Sequence, residues 1–199
     1  MFHLIGKLYT DFTARDQYNI LVLGLDNAGK TTFLEQAKHQ CNPNYNMLPP
    51  HRILPTLGQN VASVQVNGVI LKFWDVGGQD VLREMWPEYY SSAHGVVFVI
   101  DACDRDRVAE CKQALMNVVS DDAVEGAQFL VVANKSDMEN AMDLVDVKEI
   151  VNPLLEHLNA RDSRVLKISA SEGDGVSSAL EWISNRVVRN KGNRQPLKC

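Results

Sequence analysis

No apolar run in the 199 residues approaches the roughly 20 needed to cross a bilayer. The N-terminus also lacks the charged start, apolar centre and small-residue cleavage site of a secretory signal. The chain is therefore expected on the cytosolic side. The four cysteines, Cys41, Cys103, Cys111 and Cys199, show no C-x-x-C spacing, and the five histidines form no ligand-like cluster. Neither a zinc site nor a disulfide framework is suggested, which fits a reducing compartment. Basic character is missing too: the net charge is −5, so no nucleic-acid partner is expected, because phosphate backbones select positive faces. Internal repeats and low-complexity segments are absent.

What remains is a chain with 45% hydrophobic residues, long enough to bury the core of one domain. Short apolar runs alternate with segments of helical period, which predicts a βαβ arrangement with a mostly parallel, six-stranded sheet and helices on both faces. Ile20–Leu23, Val96–Ile100, Phe129–Ala133 and Val165–Ile168 read as buried strands, because continuous apolar character suits strands covered on both sides. Helices are expected to begin near Lys30, Arg105, Asp143 and Gly175. From Val61 to Val76 the apolar residues alternate on each side of Asn67-Gly68, the pattern of a β-hairpin with a tight turn. Cys41 to Leu54, with Pro43, Pro49 and Pro50, reads as a surface loop. The boundaries expected are an amphipathic helix over 1–17, one domain over 18–190, and a frayed basic tail over 191–199.

Directly after the first strand stands Gly24-Leu25-Asp26-Asn27-Ala28-Gly29-Lys30-Thr31-Thr32, a G-x-x-x-x-G-K-T phosphate loop in its strand-to-helix setting. Its glycines let backbone N–H groups curl around phosphate oxygens, Lys30 brings a cation, and Thr31 offers a hydroxyl to Mg²⁺. Alone, this loop specifies only a nucleoside triphosphate, and ATPases and kinases share it. Base choice comes from Asn134-Lys135-Ser136-Asp137 at the carboxyl edge of the sheet. The Asp137 carboxylate can accept from both N1–H and the exocyclic amine of guanine, whereas adenine would leave it unsatisfied. Asn134 would brace the loop and the base, and the Lys135 stem would cover a ring face. Ser169-Ala170 suits a second base-contacting loop. In Trp74-Asp75-Val76-Gly77-Gly78-Gln79, Asp75 can reach the Mg²⁺ shell, Gly78 can present its N–H to a γ-phosphate, and Gln79 can orient the attacking water. Thr56, after Pro55, would add contacts to Mg²⁺ and γ-phosphate.

These segments, with Pro55-Thr56-Leu57-Gly58 and Asp80, resemble the Arf family of small GTPases from about Phe2 to Arg189. Met1-Phe2-His3-Leu4, Gln59-Asn60 and Ala160-Arg161-Asp162-Ser163-Arg164-Val165-Leu166 look most like its Arf-related branch, particularly the fungal members. The resemblance implies a monomeric switch that cycles between GDP and GTP with Mg²⁺ and is served by an exchange factor and a GTPase-activating protein. It also implies vesicle traffic at the trans-Golgi, upstream of another Arf-like GTPase.

Three departures bear on partners. Phe2 stands where Arfs carry the glycine that is myristoylated, and Cys199 is last rather than fourth from the end, so neither myristoylation nor C-a-a-X prenylation fits. Met1, Leu4, Ile5, Leu8, Tyr9 and Phe12 share a helical face instead, suited either to a membrane or to packing on the domain. Met1-Phe2 resembles a start that a Golgi membrane protein recognises when acetylated. The Arf effector patch of Phe, Trp and Tyr keeps Trp74 and Tyr89 but has Gln59 in the first place, so effectors should differ; Trp86 reads equally well as core. No arginine can be assigned as an internal catalytic finger, which leaves open a scaffold that hydrolyses GTP very slowly unaided.

Overall fold

The computed structural model describes residues 15–155 and 163–199. The expected helix near the N-terminus, with Met1, Phe2 and Ile5, lies outside them.

Six strands form the main path of the sheet: β1 (Asp16–Leu23), β2 (Gln59–Val66), β3 (Val69–Val76), β4 (Gly95–Asp101), β5 (Gln128–Asn134) and β6 (Ser163–Lys167), in spatial order β2-β3-β1-β4-β5-β6. Only β2 and β3 pair antiparallel; every other neighbour along this path is parallel. The hairpin turn at Asn67 and Gly68 has φ of 50° and 83°, the left-handed pair that Asn-Gly supplies most easily. Around the sheet lie α1 (Lys30–Cys41), the single turns α2 (Asp80–Arg83) and α3 (Pro87–Tyr90), α4 (Val108–Val119), α5 (Leu144–Leu155) and α6 (Val176–Arg189).

The continuous apolar strands are explained by two cores, one on each face. Leu21, Leu23, Val96, Phe98, Phe129 and Val131 pack against α4 and α5 through Leu115, Val118, Val147 and Val151. Ile20, Val22, Val97, Val99, Leu130 and Val132 face α1 and α6 through Phe33, Leu34, Ala179 and Ile183. Among the described residues no helix is long and apolar enough to cross a membrane.

The helix expected near Arg105 begins at Val108, because the Asp104 carboxylate captures the Arg107 N–H at 3.2 Å and holds residues 104–107 in a turn. The tail departs further from expectation: it is docked, and ends in a seventh strand, β7 (Leu197–Lys198), antiparallel to the start of β1. Arg194 fastens it by donating to the carbonyls of Glu125 at 3.0 Å, Tyr90 at 3.1 Å and Ala123 at 2.6 Å, and also to that of Ala93. His94, 6% exposed, bridges the two ends: Nδ1 accepts from the Asn19 N–H at 2.9 Å, and Nε2 lies 2.8 Å from the Gln195 carbonyl.

Candidate functional site

The carboxyl ends of β1, β3 and β5 open onto a cleft of about 400 Å³ lined by Asp26, Asn27, Gly29, Lys30, Thr31, Thr32, Thr56, Gly78, Gln79, Asn134, Lys135 and Asp137. Residues from four separate stretches of chain thus meet where parallel sheets bind ligands.

Lys30 occupies the centre. It is 6% exposed, and among the described residues its ammonium donates to two carbonyls, Gly24 at 2.9 Å and Leu25 at 2.7 Å. Burial lowers its pKa to about 8, against the opposing pull of Asp75 and Asp26. A buried cation held by neutral oxygens beside a helix N-terminus is a receptor for an anion, and polyphosphate fits it. Gly78 seals one side: a Cβ there would stand 2.3 Å from the Gly24 carbonyl oxygen and 2.4 Å from Lys30 Nζ, so only glycine lets the Gly77–Gln79 backbone lie against the phosphate loop.

Next to this receptor the Thr31 hydroxyl donates to Asp75 Oδ2 at 2.7 Å, and the Thr56 hydroxyl lies 3.0 Å from that of Thr31 and 3.5 Å from the carboxylate. Asp75 is fully buried, its Oδ1 has no hydrogen-bond partner among the described residues, and burial raises its pKa despite Thr31, Lys30 and Thr56. A buried carboxylate with one oxygen orphaned and the other met by two hydroxyls suits a hard cation. With so few protein oxygens, that cation would take the rest of its shell from phosphate and water, the habit of Mg²⁺ rather than of Ca²⁺ or Zn²⁺. The described residues hold no cluster of three His, Cys, Asp or Glu side chains that could bind a metal independently.

At the other end Asp137 is exposed on the cleft wall. Asn134 proves to be a brace. Its Nδ2 donates to the Ala28 carbonyl at 2.8 Å and its Oδ1 accepts from the Ala170 N–H at 2.9 Å, so this 2%-exposed amide joins two loops and keeps a second N–H for a ligand. A Cβ at Gly29 would stand 2.2 Å from that Nδ2, which explains the glycine there. Lys135, at φ 64°, pairs with Asp101 at 2.6 Å. Ser169 and Ala170 are buried behind the wall, and Ser171 of the same loop lines the cleft. Sequence reasoning missed Pro50, Ile53, Leu54, Pro55 and Met138, which complete the lining.

Gln79 is exposed at the start of α2, directly after Gly78. Gln59 and Val61 lie exposed on β2, with Val61 opposite Trp74, whose ring lies 5.8 Å from that of Tyr89. Trp86 belongs to the core, 2% exposed, its indole N–H donating to the Gly77 carbonyl at 3.0 Å. Of the arginines near the phosphate loop, Arg83 pairs with Asp80 and Glu110 at 2.7 Å each, and Arg107 pairs with Asp26 at 2.8 Å and Asp104 at 2.6 Å.

Comparison with known proteins agrees with this geometry. Residues 5–187 match the model of the ADP-ribosylation factor (Arf) family. The chain is 51% identical to ADP-ribosylation factor-like protein 3 of Saccharomyces cerevisiae over 198 residues, covering 99% of each. It is 43% identical to human ADP-ribosylation factor-related protein 1 over 190 residues, which is 96% of this chain and 94% of that one. Among solved structures it is similar to the Arl6 (BBS3) small GTPase of Trypanosoma brucei with bound nucleotide analogue GppNp, at a TM-score of 0.73 and 26% identity over 87% of this chain and 99% of that one.

Proposed function

The chain belongs to the Arf family, and on that basis we propose that it is a trafficking switch whose GTP state is recruited to the cytosolic face of trans-Golgi membranes. Its general class follows from the family: it binds GTP and GDP with Mg²⁺, hydrolyses GTP, and is governed by exchange factors and activating proteins.

The observation that carries the assignment of residues is the meeting of Lys30, Thr31, Thr56, Asp75 and Gly78 at one end of a cleft whose other end carries Asp137. Lys30 and the N–H groups of residues 26–32 hold the phosphates. Thr31 and Thr56 would hold Mg²⁺, with Asp75 acting through water, and the bound ion would supply charge neutralisation for the phosphates. Gly78 presents its N–H to the γ-phosphate, and Gln79 orients the attacking water. Asp137 accepts from guanine, while Asn134 braces the phosphate and base loops and the base. Because Arg83 and Arg107 are already paired with carboxylates, hydrolysis is slow until an activating protein brings its own arginine. Competition of GTP and ATP against a fluorescent guanine nucleotide tests the base assignment; equal competition would overturn it.

The Golgi placement rests on the likeness of Met1–Leu4 and Gln59-Asn60 to the Arf-related branch, and on a relative of that name. Met1, Phe2 and Ile5 would engage the membrane or an integral membrane receptor. Gln59, Trp74 and Tyr89 would meet effectors, including those leading to a downstream Arf-like GTPase. Replacing Phe2 and Ile5 with serine should disperse the protein from Golgi membranes, whereas unchanged fractionation would assign this segment to packing alone.

A further inference from the structure

The connection between α1 and β2 is fastened from beneath by a buried acid. Glu35, on α1, has a side chain only 2% exposed. Its carboxylate accepts from the Tyr45 hydroxyl at 2.9 and 3.1 Å, from the Leu48 N–H at 3.0 Å and from the Lys38 ammonium. Lys38 also donates to the Tyr45 hydroxyl at 2.8 Å and lies 4.8 Å from the centre of its ring. Burial alone would raise the Glu35 pKa, but the bonds from Lys38, Leu48 and Tyr45 outweigh it and hold the group below its ordinary value. Removing any one of these donors leaves a buried charge short of a partner.

The chain beyond Leu48 has little slack. Pro49 and Pro50 lead into a 3₁₀ turn at Pro50–Arg52, and Pro50, Ile53, Leu54, Pro55 and Thr56 then line the nucleotide cleft. Thr56 is the residue whose hydroxyl stands beside Thr31 and Asp75, at the phosphate end. The buried acid and the cleft wall are thus joined by a short, proline-stiffened strap.

We propose that Glu35, Tyr45 and the Leu48 amide form a latch that holds Pro50–Thr56 against the cleft and prolongs the residence of the triphosphate in particular. The inference rests on reading the cleft as a guanine-nucleotide site. The bias toward triphosphate follows from where the strap ends: Thr56 serves the cation and third phosphate, while the base end at Asp137 owes nothing to it. Glu35 and Tyr45 are positioning residues, since neither lines the cleft.

The test is release of a fluorescent, non-hydrolysable GTP analogue and of fluorescent GDP from the full-length protein in Mg²⁺. Tyr45→Phe keeps the ring and removes only the hydroxyl. It should speed analogue release by about five- to tenfold, the net worth of one ordinary hydrogen bond, and GDP release by no more than about twofold. Leu48→Pro, which removes the backbone donor and replaces a half-exposed side chain, should act in the same direction, as should Glu35→Gln if it folds. Equal acceleration of both nucleotides, or of neither, would overturn the latch and leave these contacts merely structural. Failure of the wild-type protein to retain either guanine nucleotide would instead refute the reading of the cleft, and with it the latch.

Discussion

Arg107 grips Asp26 twice, donating to its carboxylate at 2.8 Å and to its backbone carbonyl at 3.1 Å. A side chain at the start of α4 therefore holds the phosphate loop in place from outside the cleft. We expect Arg107→Ala to hasten nucleotide release by about two- to tenfold, the range of a partly exposed ion pair with good geometry. Exchange kinetics of a fluorescent nucleotide measure this, and an unchanged rate would mean that the loop keeps its shape unaided.

Asp137→Asn replaces one of two acceptor oxygens with a donor. Guanine nucleotides should lose affinity by about a hundredfold or more, because a donor then faces the donors of the base. The same variant should gain affinity for xanthosine nucleotides, which carry a carbonyl where guanine has its amine. Paired titrations with GDP and xanthosine diphosphate give the answer, and a parallel loss of both would remove Asp137 from base reading.

Gln79→Leu should fold and load normally, since the glutamine side chain is exposed. In single-turnover assays with an activating protein we expect hydrolysis to fall by about three powers of ten, toward the unaided rate. Turnover at the wild-type rate would take the water-orienting role away from Gln79.

His94 makes the docked tail sensitive to acid. Burial lowers its folded pKa from an ordinary value of 6.5, and Arg194 adds to the effect against the bond to Gln195. Unfolded, the imidazole takes up a proton near that ordinary value; folded, it does so only at lower pH. The unfolded state thus binds more protons in that window, and stability present above about 6.5 is lost as pH falls through the folded pKa. We expect the Tm to decline from neutral to mildly acidic pH more steeply in the wild type than in His94→Gln. Equal slopes would refute the coupling.

Legibility in the sequence followed the range of the forces involved. The strands were visible because two cores demand apolar residues at every position, as in Val96–Ile100, and the hairpin because Asn67-Gly68 is a local turn device. The phosphate loop and the Asn134–Asp137 stretch announce their chemistry within a few residues. The docked tail did not, because Arg194 earns its place through carbonyls about 70 to 104 positions away, and no local period reports that. The loop wall was hidden for a similar reason: Glu35 looks like an ordinary helix glutamate until Tyr45 and Leu48 fold back upon it. The brace that Asn134 makes between Ala28 and Ala170 spans 106 and 36 positions and is seen only in three dimensions.

That brace has a mechanical consequence for exchange. With both ends of one buried amide engaged, the loop around the phosphates and the loop around the base move as one body. A partner that pries at either therefore loosens its grip on the whole nucleotide. An exchange factor needs only one handle on this protein, and it need not touch the base to free it.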